Sequence, residues 1–555
     1  VAFQTARCKV ACLLVVSTAV VASWAVSASA QSGAKPDNGV GTAEALENPN
    51  CDPETRRIRL YSVFRVPCVK TVEAKDNGGA TSRGVTRDSI KLVMVTAADP
   101  NSVPKDASIA AQNGVNQATG TTGIYADAVR DANELYASVY ETYGRDVDIE
   151  IYTRTGIDEA SMRADALAIA EKKPFAVLNA EPLVGQLLAD RKIISIDFPR
   201  DPEVVAQQAP YRWSYGTDYF GLTLMAAEVL GKQLWDGKAE WAGDESMHAK
   251  DRKFGLVYPD SNDAIPYPDL ALFEKTLKKY GGGTITTKIA YTGAVGADTA
   301  TIDTLNQQAA TPIIARLRDA GVTTVVLITS QSMTKALTLA ATTQDYRPEW
   351  FCAEWFNCSF DFYARQNDQE QWAHAFGIGS LYPALEGEAL DNYAKMFRWY
   401  YGPNQGTPSA GVLSYLNNFY SGIHMAGPKL TPQTFQAGLY SKPIMGGAKE
   451  GAVSTVVNGY GPREGMAYPA FSSSGTDASL WWWNPDVEGF SNIFRVNGKG
   501  KAMWVDGGKR YLPGDFPKRT PFFDEAKAIA FLPATADDQL RPPYDCSGCP
   551  SETAS

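Results

Sequence analysis

The chain has 555 residues, 44% hydrophobic and 21% charged, enough to bury a large core divided into two or more lobes. Its 62 Asp and Glu outweigh 52 Lys and Arg, giving a formal charge of -10. That balance argues against nucleic acid or an anionic membrane as partner, and three histidines (His248, His374, His424) without HExxH or HxH spacing argue against zinc.

Residues 1–30 read as an export signal. Arg7 and Lys9 give a positive start, Val10 to Val26 is mostly apolar, and Ala28-Ser29-Ala30 forms an A-x-A cleavage site. A membrane anchor is the competing reading, but Ser17 and Ser23 interrupt a run already short for a hydrocarbon core of ~30 Å. Cys12 stands at the start of the apolar run rather than after it, so no lipoprotein cysteine is evident. The expected location is periplasmic or extracellular. Residues 31–84 form a polar leader in which Cys51 and Cys68 are expected to pair, as are Cys352 with Cys358 and Cys546 with Cys549. The last pair sits in a Pro-rich tail, without the βαβ setting of a redox site.

The folded part begins at GVTRDSIKLVMVT (84–96), whose unbroken apolar run reads as a strand buried on both faces of a parallel sheet. A long loop follows, then a helix predicted over Tyr125 to Tyr143 from the stripe Val129, Ala132, Leu135, Tyr136 and Val139. Strands at 147–152, 175–178 and 193–196 alternate with helices at 158–173 and 182–190, which implies right-handed crossovers. The pattern restarts with a helix at 218–235, a polar insertion at 236–252 and a strand at 254–258. Further strands are predicted at 285–291, 323–328, 350–354 and 376–381, with helices at 271–279, 302–320 and onward to 343. Helices return at 389–401, 411–426 and 432–439. Beyond about 445 the chain reads as irregular β structure, with Asn497-Gly498 and Asp506-Gly507 as hairpin signals. Trp481-Trp482-Trp483 reads as core packing in preference to a carbohydrate platform.

The element order and several strings resemble the type I periplasmic binding proteins, specifically the Leu/Ile/Val-binding-protein-like substrate-binding components of ABC importers. GVTRDSIKLVMV resembles that family's opening, while LYSVFRVPCV and WVDGGKRYLPGDFP are similar to its longer actinobacterial members. The resemblance spans roughly 84–450 and contains no invariant catalytic motif. It implies an α/β fold of two Rossmann-like lobes with parallel central sheets joined by a hinge. The implied division is 85–216 with 382–445 for the first lobe and 217–381 with 446–490 for the second. A C-terminal extension follows at 491–555.

The family's cleft positions carry over as follows. Tyr125 would pack on the ligand. The turn Asn179-Ala180-Glu181 would offer N–H groups to a carboxylate, though it lacks the serines usual there. Asp197, Phe198 and Arg200 follow the fourth strand. Tyr267 and Ser330 belong to the second lobe, and Glu354 would meet an α-ammonium or else stand as a solvated loop acid. A buried zwitterion needs a partner for each charge, which is why a carboxylate, hydroxyls and aromatics suit such a cleft.

The implied function is capture of a small polar or amino-acid-like solute for amino-acid-type import by an ABC permease. The implied protein is a monomer with no cofactor and no catalysis. An exported α/β hydrolase-like enzyme is the alternative, but no G-x-S-x-G elbow or phosphate-cradling loop occurs. A ligand-sensing secreted protein without a transporter is the other. Ligand identity stays open among an amino acid, an amide, a urea-like solute, a short peptide and an aromatic compound.

Overall fold

This computed structural model describes residues 36–96, 125–156, 158–197, 202–260, 270–292, 299–354, 358–387, 392–402, 410–447, 455–462, 469–474, 476–492 and 495–535. The apolar run becomes the strand Ser89–Thr96. It is preceded in the leader by the short pair β1 (Cys51–Asp52) and β2 (Arg57–Ile58), so we number it β3. Along its full length β3 pairs with β4 (Asp146–Thr153), and on its other side Leu92 to Met94 pair with β5 (Ala176–Leu178). β6 (Ile194–Asp197) and β7 (Arg212–Thr217) extend the sheet, and all these pairings are parallel.

Both faces of this sheet are covered, which explains the absence of polar alternation in β3. Leu92 and Met94 point toward helices Tyr125–Val139 and Ala410–Ala426, packing with Val129, Leu135, Leu413 and Leu416. Val93 and Val95 point the other way, onto Met162, Ile169, Val184 and Leu188 of helices Glu159–Glu171 and Pro182–Asp190.

The second sheet has a parallel half made of β8 (Phe254–Pro259), β9 (Thr287–Tyr291), β10 (Thr324–Leu327), β11 (Glu349–Cys352) and β12 (Ala375–Gly379). After β13 (Ala384–Leu385), the chain returns to the first lobe and builds the hairpin of β14 (Met445–Gly447) with β15 (Thr455–Asn458). β16 (Ser472–Ser474) then joins the first sheet, running parallel to β7. Next come β17 (Ala478–Phe490) and β18 (Asn497–Val505), which complete the second sheet as an antiparallel pair against β12. β19 (Arg510–Tyr511) and β20 (Ala528–Ile529) edge it, while β21 (Phe531–Leu532) pairs with β13 as a separate two-stranded sheet.

Three features of the structure depart from expectation. The strand at 212–217 and the helix Pro202–Gln208 were not expected: in RWSYGT the polar Arg212 and Ser214 are buried beside Trp213, so the segment shows no apolar run. Asn497-Gly498 is not a turn: Phe490 pairs with Asn497 and Gly489 with Gly498, so the hairpin bends at 491–496. Ser472–Ser474, within the stretch assigned to the second lobe, lies in the first sheet, and 497–505, assigned to an extension, lies inside the second. The Trp run is core as expected, with Trp481 and Trp483 packed on one face of β17 and Trp482 on the other.

The leader is stapled by Cys51–Cys68 and anchored on the first lobe. Leu60, Val66 and Val69 enter the first-lobe core. Buried Arg145 donates to the carbonyls of Asn77, Gly79, Thr86 and Pro428, joining the leader to two distant segments. Cys352 and Cys358 are also bonded, whereas Cys546 and Cys549 lie outside the described residues. Among the described residues, no helix is long and apolar enough to cross a membrane.

Candidate functional site

In open α/β sheets the ligand crevice lies beyond the carboxyl ends of the parallel strands; among the described candidates, Asn179, Ser330 and Glu354 follow the ends of β5, β10 and β11. Tyr125 opens its helix and is 2% exposed, and its hydroxyl is hydrogen-bonded to the Asn179 side chain. Burial pushes that phenol pKa upward, and Asn179 partly offsets the shift. Asn179 sits just after β5 with φ +60°, a left-handed conformation that Asn tolerates better than most residues. Its Nδ2 donates to Val95 O at 2.9 Å and its backbone N–H to Ile196 O at 3.0 Å, so one residue ties the ends of β3 and β6 to β5.

Ala180 is buried, and Glu181 is the residue before helix Pro182–Asp190. The Glu181 carboxylate pairs with Arg154, which leaves the end of β4; both side chains are partly exposed. Burial lowers the Arg154 pKa, while nearby Asp165 acts to raise it. Asp165, itself buried, accepts from Tyr152 Oη (2.8 Å), Thr155 Oγ1 (2.8 Å) and Thr155 N (3.0 Å). Sequence reading passed over Arg154 and Asp165. The signal available for Arg154 was its place directly after β4, at the strand end where polar side chains collect.

Asp197 is fully buried and has its charge met inside the protein. Ser195 Oγ donates to Oδ2 at 2.7 Å and Arg212 Nη2 lies 3.3 Å from Oδ1. Burial raises the Asp197 pKa, and Arg212 and Ser195 pull it back down. Its oxygens lie against Gly185, where an added Cβ would come within 1.7 Å of Oδ2.

In the second lobe, Ser330 caps helix Gln331–Thr343. Its Oγ accepts from Met333 N, and its own N–H donates to Tyr291 Oη at 3.0 Å. Glu354 follows β11 with φ +55° and is fully buried. Its carboxylate accepts from Ser359 N (2.9 Å), Ser359 Oγ, Ser380 N (3.1 Å) and Ser380 Oγ (2.9 Å). Burial raises its pKa and those donors lower it. Glu354 therefore joins the disulfide loop to the end of β12, and it is neither solvated nor short of partners. Phe198, Arg200 and Tyr267 lie outside the described residues.

Among the described residues, ligand-type atoms of Cys352, Glu354 and Cys358 fall within 4.8 Å of one another. The two sulfurs are bonded to each other, so neither is a thiolate available to a metal.

No protein-family model and no curated protein matches the chain. Several solved structures do resemble it. The leucine-, isoleucine-, valine-, threonine- and alanine-binding protein of Brucella ovis, in a closed conformation, is 11% identical with a TM-score of 0.48. That match covers 78% of this chain and 98% of the other. A solute-binding protein of an ABC transporter from R. palustris, in complex with 4-hydroxybenzoate, is 12% identical at TM-score 0.47, with the same 78% and 98% coverage. A periplasmic binding protein type 1 from Bordetella pertussis is 14% identical at TM-score 0.45, covering 71% and 97%. The likeness is to solute-binding proteins. It is a likeness of fold at low identity.

Proposed function

We propose that this chain is an extracytoplasmic solute-binding protein that holds a small polar or amino-acid-like molecule between two lobes for an ABC-type importer. One observation carries the reading: β16 pairs with β7, matching Ser472 to Ser214 and Ser474 to Thr217, just before each strand leaves for the second lobe. Two of the three connections between the sheets thus run side by side, the third leaving through β13. Two α/β units joined by a few adjacent strands are built to open and close as rigid bodies.

In this reading the partly exposed polar groups at the strand ends meet the solute: Asn179, Glu181 with Arg154, and Ser330 beside Tyr291. Tyr267, Phe198 and Arg200 are assigned to the same rim. Glu354, Asp197 and Tyr125 act one layer behind, fixing the loops that carry those groups. The protein acts as a monomer outside the cytoplasm, delivers its solute to a membrane permease and performs no chemistry.

A thermal-shift screen of aliphatic amino acids, amides, short peptides and hydroxybenzoates tests this, since a ligand stabilises by RT ln(1 + [L]/Kd). A compound that raises the melting temperature and is recovered unchanged supports the reading. A compound recovered chemically altered replaces it with an enzyme.

A further inference from the structure

The second and third connections between the lobes meet at one guanidinium. Arg510, on β19 near the end of the chain, is 2% exposed. Its Nε and Nη2 grip Asp477 at 2.6 Å and 2.8 Å, and Nη2 also reaches Asp477 O at 2.9 Å. Asp477 lies on the third connection, between β16 and β17. From the same guanidinium, Nη1 donates to Leu381 O at 2.7 Å and Nη2 to Ser380 O at 3.1 Å, both at the start of the second connection. Only a planar fork of five donors can hold a carboxylate and three carbonyls at once; a lysine offers three donors at a single point.

Neighbouring contacts extend the same arrangement. Ser380, whose carbonyl takes Arg510, gives its N–H and hydroxyl to Glu354 in the disulfide loop. Further along the second connection, Ala384 and Leu385 pair with Phe531 and Leu532. Arg495 donates to the carbonyls of Leu385 and Gly387. The last part of the chain therefore splints the second connection as far as Gly387 and holds the third from Asp477 onward.

We propose that Arg510 is a positioning residue for lobe movement: it makes the second and third connections travel as one piece with the second lobe and so sets where the molecule bends. The inference rests on the two-lobe reading above but requires no ligand.

The test measures lobe separation directly in the full chain. Spin labels are carried on unnatural amino acids at exposed positions 167, on a first-lobe helix, and 339, on a second-lobe helix. The wild-type chain is expected to give one narrow distance distribution. Arg510→Lys, which keeps a cation beside Asp477 but loses the carbonyl contacts, is expected to broaden and shift it. The near-ultraviolet signal of the buried tryptophans is expected to stay as in wild type. An unchanged narrow distribution in a folded Arg510→Lys chain overturns the proposal. Should that variant fail to fold, Asp477→Asn, of equal size, decides: broadening supports the role and a wild-type distribution removes it. A ligand screen without hits leaves this result standing, and an unaltered distribution leaves solute binding standing.

Discussion

The imidazole of His424 stands 2.9 Å from the carbonyl oxygen of Pro67, Nε2 to O, across 357 residues of sequence. Its Nδ1 accepts from Glu141 N at 2.9 Å, so the ring proton resides on Nε2 and the ring is neutral. One side chain thereby joins the leader next to Cys68 to the helix Ala410–Ala426 and to the segment just past helix Tyr125–Val139.

Acid should weaken that joint. Burial pulls the His424 pKa down from 6.5 to about 4, with the Pro67 carbonyl acting weakly the other way. Above pH 6.5 neither folded nor unfolded chain carries this proton, and stability is at its full value. Between 6.5 and about 4 the unfolded chain binds a proton that the folded chain refuses, so stability falls, by about 3 kcal/mol across the window. Glu354 and Asp197, whose pKa values burial raises, tilt the balance the opposite way. The measurement is therefore a difference: urea unfolding of wild type and His424→Gln from pH 7 to 4, with the variant expected to lack the histidine part of the slope.

Gly185→Ala sets two effects against each other. Replacing a mid-helix glycine by alanine normally gains about 1 kcal/mol. Here the new methyl would press on Asp197 Oδ2 and lie 2.8 Å from Ser195 Oγ. Displacing a buried carboxylate from its arginine costs about 3–5 kcal/mol, so the net change should be destabilising by at least ~2 kcal/mol. Equal or greater stability in a denaturant titration would remove the Asp197–Arg212 pair from the supports of the first lobe.

Glu354→Gln places an amide NH2 among four donors from Ser359 and Ser380. A loss of about 1–3 kcal/mol is expected from the mismatched hydrogen bonds. Once a ligand is known, its Kd should change less for Glu354→Gln than for Ser330→Ala, since Glu354 is buried and Ser330 partly exposed. The reverse order, measured by calorimetry, would put the Glu354 carboxylate back against the solute.

Removing the leader staple should act mainly on the unfolded chain. Cys51 and Cys68 close a loop with a sequence separation of 17. Replacing both with serine is expected to lower stability by about 3 kcal/mol on the chain-entropy estimate. Differential scanning calorimetry of the double variant gives the figure. A change below measurement would mean that the core contacts of Leu60, Val66 and Val69, with the bonds of Arg145 and His424, hold the leader without the staple.

Much of the parallel scaffold was legible because a doubly covered strand leaves an unbroken apolar run: β3, β5, β6, β8 and β10 all announced themselves. β7 and β16 did not: in RWSYGT the buried Arg212 and Ser214 break any apolar run, and SSS owes its strand state to pairing with β7, far away in sequence. The hairpin of β17 and β18 was visible as β structure, but its bend was misplaced. Asn497-Gly498 suits a tight turn, yet the register with Phe490 and Gly489 draws both residues into the strand. Among the candidate site residues, sequence could place Asn179, Ser330 and Glu354 at strand ends. It could not tell that Glu354 and Asp197 would spend their charge internally, because Ser359, Ser380 and Arg212 converge only through tertiary contacts.

The position of β17 has a consequence for biogenesis. β12 exposes a strand edge bearing Phe376 and Ile378 until residues beyond Ala478 emerge and pair with it. A nascent chain stopped short of that point would present an unprotected hydrophobic edge, the usual template for intermolecular strand pairing. Truncation between Gly379 and Ala478 should therefore yield aggregates, and translation past Ala478, or a chaperone covering that edge, becomes a condition for folding without aggregation.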